Sequence, residues 1–125
     1  MKILLDAGAL VAIDKRDRSV GAMLRVIQEQ GLVVRTSAGV LAQVWRDGAK
    51  QANLARVLAG VRVRPLDAGD GRRAGELQGR ARTSDAIDAH LAWMAESNDV
   101  ILTSDPDDMR RLLDARGVDA VIRRV

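Results

Sequence analysis

Residues 100–122 read VILTSDPDDMRRLLDARGVDAVI, and the pattern of this stretch decides the fold. Val100-Ile101-Leu102 is a short, continuous apolar run, which predicts a buried strand. Pro106 suits the first position of a helix and Gly117 suits its end, so a helix is predicted between them. Ala120-Val121-Ile122 predicts a second strand. A strand, a helix and a strand in this order indicate a right-handed crossover between two parallel strands.

The same alternation extends back along the whole chain. Apolar runs predict further strands at 3–5, 32–34 and 61–63, and helices are predicted at 7–13, from a cap at Ser19 to 31, and at 38–46, 51–58, 70–82 and 86–96. Strands that alternate with helices build a parallel sheet that is covered on both faces. We therefore predict an α/β fold, a three-layer α/β/α domain with about five strands. With 125 residues, the chain has room for one domain over residues 1–125.

The composition excludes several classes of site. The chain has no Cys, which rules out disulfides, thiolate metal sites and cysteine nucleophiles, and its single His, His90, rules out a site that needs two imidazoles. Basic residues outnumber acidic ones by 20 to 17, and Arg forks suit contacts to phosphate. No apolar run approaches the length of a membrane span and the start MKILLD is no signal peptide, so we expect a cytoplasmic protein without membrane contact.

Acidic residues follow two of the predicted strands and open one helix. Asp6 ends the first strand, Asp105 follows the fourth, and Asp85 and Asp88 begin the helix at 86. The carboxyl ends of parallel strands meet at one sheet edge, where ligands bind, so Asp6, Asp88 and Asp105 are expected to converge. Clustered carboxylates repel one another unless a cation lies among them, and an oxygen-only ligand set selects Mg²⁺ or Mn²⁺. Such ions assist displacement at phosphorus.

Each of these acids also has a purely structural interpretation. Asp6 can be a turn residue at the end of its strand, and Asp105 and Asp85 can be helix caps. Asp88 lies one turn into its helix and can serve the helix dipole alone. His90 lies close to the apolar face of its helix, and we interpret it as a packed, hydrogen-bonded residue, not as a ligand. The nuclease hypothesis therefore depends on the joint placement of the three acids.

At these residues the sequence resembles a PIN domain, in particular the small prokaryotic VapC-type toxin ribonucleases. The resemblance covers nearly the whole chain and is carried by ILLDAGAL at 3–10, DAIDAHLA at 85–92 and ILTSD at 101–105. It implies a parallel sheet ordered 3-2-1-4-5 and a Mg²⁺- or Mn²⁺-dependent endoribonuclease whose metal ligands include Asp6, Asp88 and Asp105. It further implies a small antitoxin partner and a homodimer.

The chain departs from the family pattern at one site position. Where the family usually has Glu, in the helix after the second strand, this chain has Gln43. Gln offers a neutral oxygen, so the site loses one negative charge and tight binding of two ions is not expected. Asp85, three residues before Asp88, can share a face with it and offset part of this loss. Arg46 is a candidate for holding flanking phosphates.

Two alternatives remain open. A PIN domain that binds RNA or an antitoxin without cutting is compatible with Gln43. A phosphoacceptor receiver domain would need paired acids after the first strand and a Lys after a late strand, but Asp6 stands alone and no Lys follows residue 50.

Overall fold

The computed structural model describes residues 1–125, and at its centre is a sheet of five parallel strands in the order β3-β2-β1-β4-β5. The strands are β1 (Lys2–Leu5), β2 (Val33–Ser37), β3 (Arg62–Arg64), β4 (Val100–Thr103) and β5 (Val121–Arg124). The helices are α1 (Ala7–Asp14), α2 (Arg18–Glu29), α3 (Ala38–Val44), α4 (Ala52–Leu58), α5 (Ala68–Ala81), α6 (Ala86–Met94) and α7 (Pro106–Arg116). The predicted α/β class, the five parallel strands and their order are confirmed.

The central strand β1 is apolar on both sides because helices cover both faces of the sheet. It pairs with β2 and β4, and Ile3, Leu4 and Leu5 are all buried. Leu4 packs into a cluster with residues of α5, α6 and α7, whereas Ile3 and Leu5 pack on the other face with residues of α1, α2, α3 and α4. The alternation of a strand thus divides one apolar run between two cores.

Several helix boundaries differ from the predicted ones, and in two of them an aspartate caps the helix earlier than expected. Helix α2 begins after Asp17, whose carboxylate accepts the Val20 N–H at 3.0 Å, so the predicted cap at Ser19 is wrong. Helix α5 begins after Asp67, which accepts the Asp70 N–H at 2.8 Å, two residues before the predicted start. Helix α3 ends at Val44 because the next residue, Trp45, is extended.

Three helix N-termini lie at one edge of the sheet because helices follow three neighbouring strands without a linker. Asp6 follows β1 and caps α1, Ser37 ends β2 and caps α3, and Asp105 follows β4 and caps α7. None of the seven helices is both long enough and apolar enough to span a membrane. The carboxyl edge of the sheet therefore collects the acidic residues at which the strands end.

Candidate active site

Asp6 joins the ends of the two central strands. Its side chain is 2% exposed, and its two carboxylate oxygens accept the N–H groups of Ala9 at 2.9 Å and Ser104 at 3.1 Å. Its own N–H donates to the Leu102 carbonyl at 3.1 Å. The Asp6 carboxylate is thus held rigidly between the N-terminus of α1 and the loop that follows β4.

The tight approach of these two segments depends on Gly8. A Cβ atom at Gly8 would lie 2.3 Å from Ser104 Oγ, 2.4 Å from Ser104 Cβ and 3.2 Å from the Ser104 nitrogen. Because that backbone nitrogen is the donor to Asp6, a side chain at position 8 would displace one of the two groups that orient the Asp6 carboxylate.

Helix α6 presents Asp88 to the same region. Asp85 caps the helix, and its Oδ1 accepts the N–H groups of Ile87 and Asp88 at 2.9 Å each. The Asp88 carboxylate is half-buried and accepts no hydrogen bond from the protein. Burial is the largest cause that raises the pKa of Asp88 to about 7, and the negative charges of Asp85, Asp6, Asp105 and Asp108 raise it further. The negative charges of Asp6 and Asp105, which follow β1 and β4, therefore act on Asp88 at the start of α6.

Asp105 combines the predicted cap role with a place in this acidic cluster. Its carboxylate accepts the Asp108 N–H at 3.3 Å, and its own N–H donates to the Thr103 hydroxyl at 2.9 Å. Asp85 and Asp105 are helix caps, so the structural interpretation of these two is confirmed, whereas Asp6 caps α1 and is not a simple turn residue. Capping occupies one lone pair of an oxygen, so it does not exclude a metal contact by the same carboxylate.

Asp6, Asp88 and Asp105 offer carboxylate oxygens, which are the ligands that a hard divalent cation prefers. Their negative charges repel one another, and a cation would relieve this repulsion. No three of the His, Asp and Glu side chains are grouped closely enough to hold one ion as they stand. Asp88 has no hydrogen bond that restrains its side chain, so it is the acid freest to turn towards a cation.

Gln43 lies in α3, is exposed and makes no hydrogen bond to any of the acids. It is one turn beyond Gly39, where a Cβ atom would lie 2.5 Å from Ile87 Cδ1 of α6. Gln43 is therefore on the same side of α3 as Gly39, the residue that approaches α6. The Arg46 guanidinium, the candidate for holding flanking phosphates, is engaged within the protein, because it donates to the carbonyls of Ala42 and Trp45 at 3.3 and 2.7 Å.

His90 belongs to a buried ionic network that the sequence did not reveal. Its Nε2 is 2.8 Å from Asp70 Oδ2, and the Arg64 guanidinium makes two hydrogen bonds to the same carboxylate, at 2.9 and 3.1 Å. The hydrogen bond from Arg64 is the main cause that holds the pKa of Asp70 well below its usual range. The interpretation of His90 as packed and hydrogen-bonded is confirmed, but its partner lies 20 residues away and no local pattern announces it.

Comparison with known proteins supports the fold. No protein-family model matches the sequence, and no curated protein matches it significantly. Among solved structures, the chain is similar to a chain of VapBC2 from Rickettsia felis, bound to a DNA fragment from its promoter, with a TM-score of 0.70 and 17% identity over 100% of this chain and 99% of the other. It is also similar to a chain of FitAB bound to the IR36 DNA fragment, with a TM-score of 0.62 and 19% identity over 96% and 94%. The resemblance to VapC-type PIN proteins is thus confirmed at the level of the fold, and the chain has the PIN-like α/β/α architecture.

Proposed function

We propose that this protein is a Mg²⁺- or Mn²⁺-dependent endoribonuclease and acts as the toxin of a toxin–antitoxin pair. One observation supports the proposal: burial raises the pKa of Asp88 to about 7, and the negative charges of Asp6 and Asp105, at the ends of two strands on the same sheet edge, raise it further. A carboxylate in such surroundings is fully ionised near neutral pH only when a cation lies beside it. The PIN-like fold supports the same proposal.

In this proposal Asp6, Asp88 and Asp105 hold one divalent ion. When bound, the ion would activate water and stabilise the oxygens of an in-line displacement at phosphorus. Asp6 is the fixed ligand, because two N–H donors orient its carboxylate. Asp88 is the ligand that turns, since nothing in the protein bonds its carboxylate. Asp85 adds negative charge one turn before Asp88 while its carboxylate caps α6.

Gln43 limits the site to one ion in this proposal. Three carboxylates offset the charge of one dication, but a second dication would need a further anionic ligand, and Gln43 supplies only a dipole. Substitution Gln43→Glu should tighten Mn²⁺ binding, because a carboxylate attracts a dication more strongly than an amide. Unchanged Mn²⁺ affinity in Gln43→Glu would put position 43 outside the site.

A second candidate function is an RNA- or antitoxin-binding module that does not cut. It is favoured by Gln43 and by the absence of three metal-binding side chains in one group. The two candidates differ in a single outcome, since only the first produces RNA fragments when Mn²⁺ is added.

The PIN-like fold also suggests the partners of this protein. We propose an RNA substrate, a small antitoxin protein, a homodimeric state and a cytoplasmic location. The antitoxin is supported by similarity to chains of two assemblies, VapBC2 and FitAB.

The experiment is an RNA cleavage assay on a mixed single-stranded RNA, with Mn²⁺ or with a chelator. The wild-type protein should cut only with Mn²⁺ and leave 5′-phosphate ends. Asp6→Asn and Asp88→Asn should each lose cleavage by at least about a hundredfold, since each removes a charged ligand. Asp114→Asn is the matched control, because Asp114 is an exposed acid of α7 paired only with Arg110. Cleavage that survives in Asp6→Asn would overturn the proposal.

A further inference from the structure

We propose that the β3 edge of the sheet carries a second RNA-contact surface, an arginine–tryptophan patch of Arg35, Arg62, Arg64, Arg73 and Trp93 that binds the RNA phosphate backbone. The inference rests on the proposed function and adds to it a surface that holds substrate away from the acidic cluster. Its central feature is the concentration of guanidinium groups with a single carboxylate, Asp70, bonded among them.

Strand pairing brings three of the arginines to one face of the sheet. In the parallel register of β2 and β3, Arg35 pairs with Arg62 and Ser37 pairs with Arg64, so the side chains of Arg35, Arg62 and Arg64 point to the same side. Arg35 also pairs with Leu4, which packs under α5, α6 and α7, and this fixes the side as the one that those helices cover. Like charges directly opposite each other in neighbouring strands are destabilising.

No carboxylate neutralises the opposed pair. Neither Arg35 nor Arg62 takes part in an ion pair, and Arg35 Nε is buried without a hydrogen-bond partner. A buried charged donor without a partner is costly, and the fork of a guanidinium matches the oxygens of a phosphate. The pair therefore carries two positive charges that no carboxylate neutralises, and the exposed Arg62 guanidinium is free to bind a phosphate.

Trp93 organises the remaining arginines. The guanidinium carbons of Arg64 and Arg73 lie 4.9 and 5.7 Å from the centroid of the indole ring. Cation–π attraction restrains both side chains, so less entropy is lost when they bind phosphate. Because both arginines lie over the ring, Trp93 serves as their support and is not offered as a platform for a base.

The patch lies within reach of an RNA that also enters the acidic cluster. Strand β3 is two strands away from β1, roughly 10 Å across the sheet. Helix α6 carries Asp88 at its start and Trp93 near its end. A single-stranded RNA with its reactive phosphate at the acids can therefore place flanking phosphates on the guanidiniums of the patch.

The test is RNA binding in the presence of a chelator, where no metal-dependent cleavage can occur. A fluorescent single-stranded RNA is titrated with the full chain at several salt concentrations. The test variant is Arg62→Gln/Arg73→Gln, which removes two exposed charges and keeps the Arg64–Asp70 pair. The matched control is Arg25→Gln/Arg110→Gln, which removes two exposed charges from α2 and α7.

We expect the test variant to bind RNA roughly tenfold more weakly at low salt, and the slope of log affinity against log salt to fall by about 1.4, since each lost phosphate contact is worth about 0.7. The control should lose less than twofold. Equal weakening in both variants would overturn the proposal, because it would show that only net charge matters. A DNA duplex that displaces the RNA and depends more strongly on the same residues would also overturn it.

The outcome is separable from that of the cleavage assay. If Arg62 and Arg73 prove necessary for RNA binding in the chelator while Mn²⁺ never induces cleavage, the patch is confirmed and the ribonuclease proposal is wrong.

Discussion

At the scale of the single residue, Gly8 links a backbone feature to the candidate site. A glycine inside a helix is normally destabilising relative to alanine by about 1 kcal/mol. At Gly8 in α1, glycine should instead be more stable than alanine, because the Cβ of an alanine would overlap Ser104. We expect Gly8→Ala to lower the free energy of unfolding by about 1–3 kcal/mol. Urea denaturation followed by circular dichroism measures this change.

Two further variants make the Gly8 prediction specific. Ser104→Gly removes the overlapping Cβ and Oγ, so the double variant Gly8→Ala/Ser104→Gly should recover most of the stability that Gly8→Ala loses. Gly21→Ala is the control, because nothing lies within 4 Å of a Cβ at that position of α2, and it should raise stability by roughly 0.5–1 kcal/mol. If Gly8→Ala is as stable as Gly21→Ala, the close packing of Gly8 on Ser104 is wrong.

Asp88 predicts a pH dependence of stability in the absence of metal. Its pKa is raised from 3.8 to about 7 in the folded protein, so between these values the folded state binds more protons than the unfolded state. The contribution of Asp88 to the free energy of unfolding is therefore largest below pH 3.8 and is lost as the pH rises through about 7. Asp88→Asn should be more stable than wild type at pH 8 by on the order of 1–2 kcal/mol. Denaturation in a chelator at pH 5 and pH 8 measures this difference.

Metal should reverse this pH effect. Mn²⁺ favours the ionised carboxylate, so it should stabilise the wild type at pH 8 and leave Asp88→Asn nearly unchanged. If the difference in stability between the wild type and Asp88→Asn is the same at pH 5 and pH 8, burial and the surrounding carboxylates do not raise the pKa of Asp88.

At the scale of the element, the buried Arg64–Asp70–His90 network connects β3, α5 and α6. Asp70→Asn removes the ionic partner of Arg64 and leaves the fully buried His90 with an altered hydrogen bond. The Arg64 side chain is 35% exposed, so water screens part of the lost attraction, and Asp70→Asn should lower the free energy of unfolding by about 1–3 kcal/mol. Asp114→Asn, which breaks an exposed 4.0 Å pair with Arg110, should cost less than about 0.5 kcal/mol. Thermal unfolding of both variants compares the two pairs, and equal melting temperatures would contradict the network.

The same network shows which features of an element the sequence can predict. Strands such as Val100–Thr103 and the end of α7 at Gly117 are encoded in a few neighbouring residues, and their positions are predicted to within one or two residues. Helix starts are less certain, because several polar residues compete for one cap, as Asp17 and Ser19 do before α2. Asp70 and His90 meet only because α5 folds against α6, so no local pattern identifies them.

At the scale of the whole molecule, the acidic cluster could be anticipated but the arginine–tryptophan patch could not. The expected convergence of Asp6, Asp88 and Asp105 follows from parallel strands and from the resemblance to PIN domains, and the charge effect of Asp6 and Asp105 on Asp88 is consistent with it. The opposition of Arg35 and Arg62 requires the register between β2 and β3, which sequence alone does not give. Carboxylates lie at the ends of β1 and β4, and the arginine–tryptophan patch lies at the β3 edge.

The central claim is that Asp6, Asp88 and Asp105 together form a site for one divalent ion, and calorimetric titration with Mn²⁺ at pH 8 tests it most directly. The account predicts that the wild type and the control Asp114→Asn each bind one ion with the same affinity, and that Asp6→Asn binds none over the same range of Mn²⁺ concentration. Circular dichroism confirms that each variant is folded. A wild-type protein that binds no Mn²⁺, or an Asp6→Asn variant that binds it as the wild type does, would contradict the account.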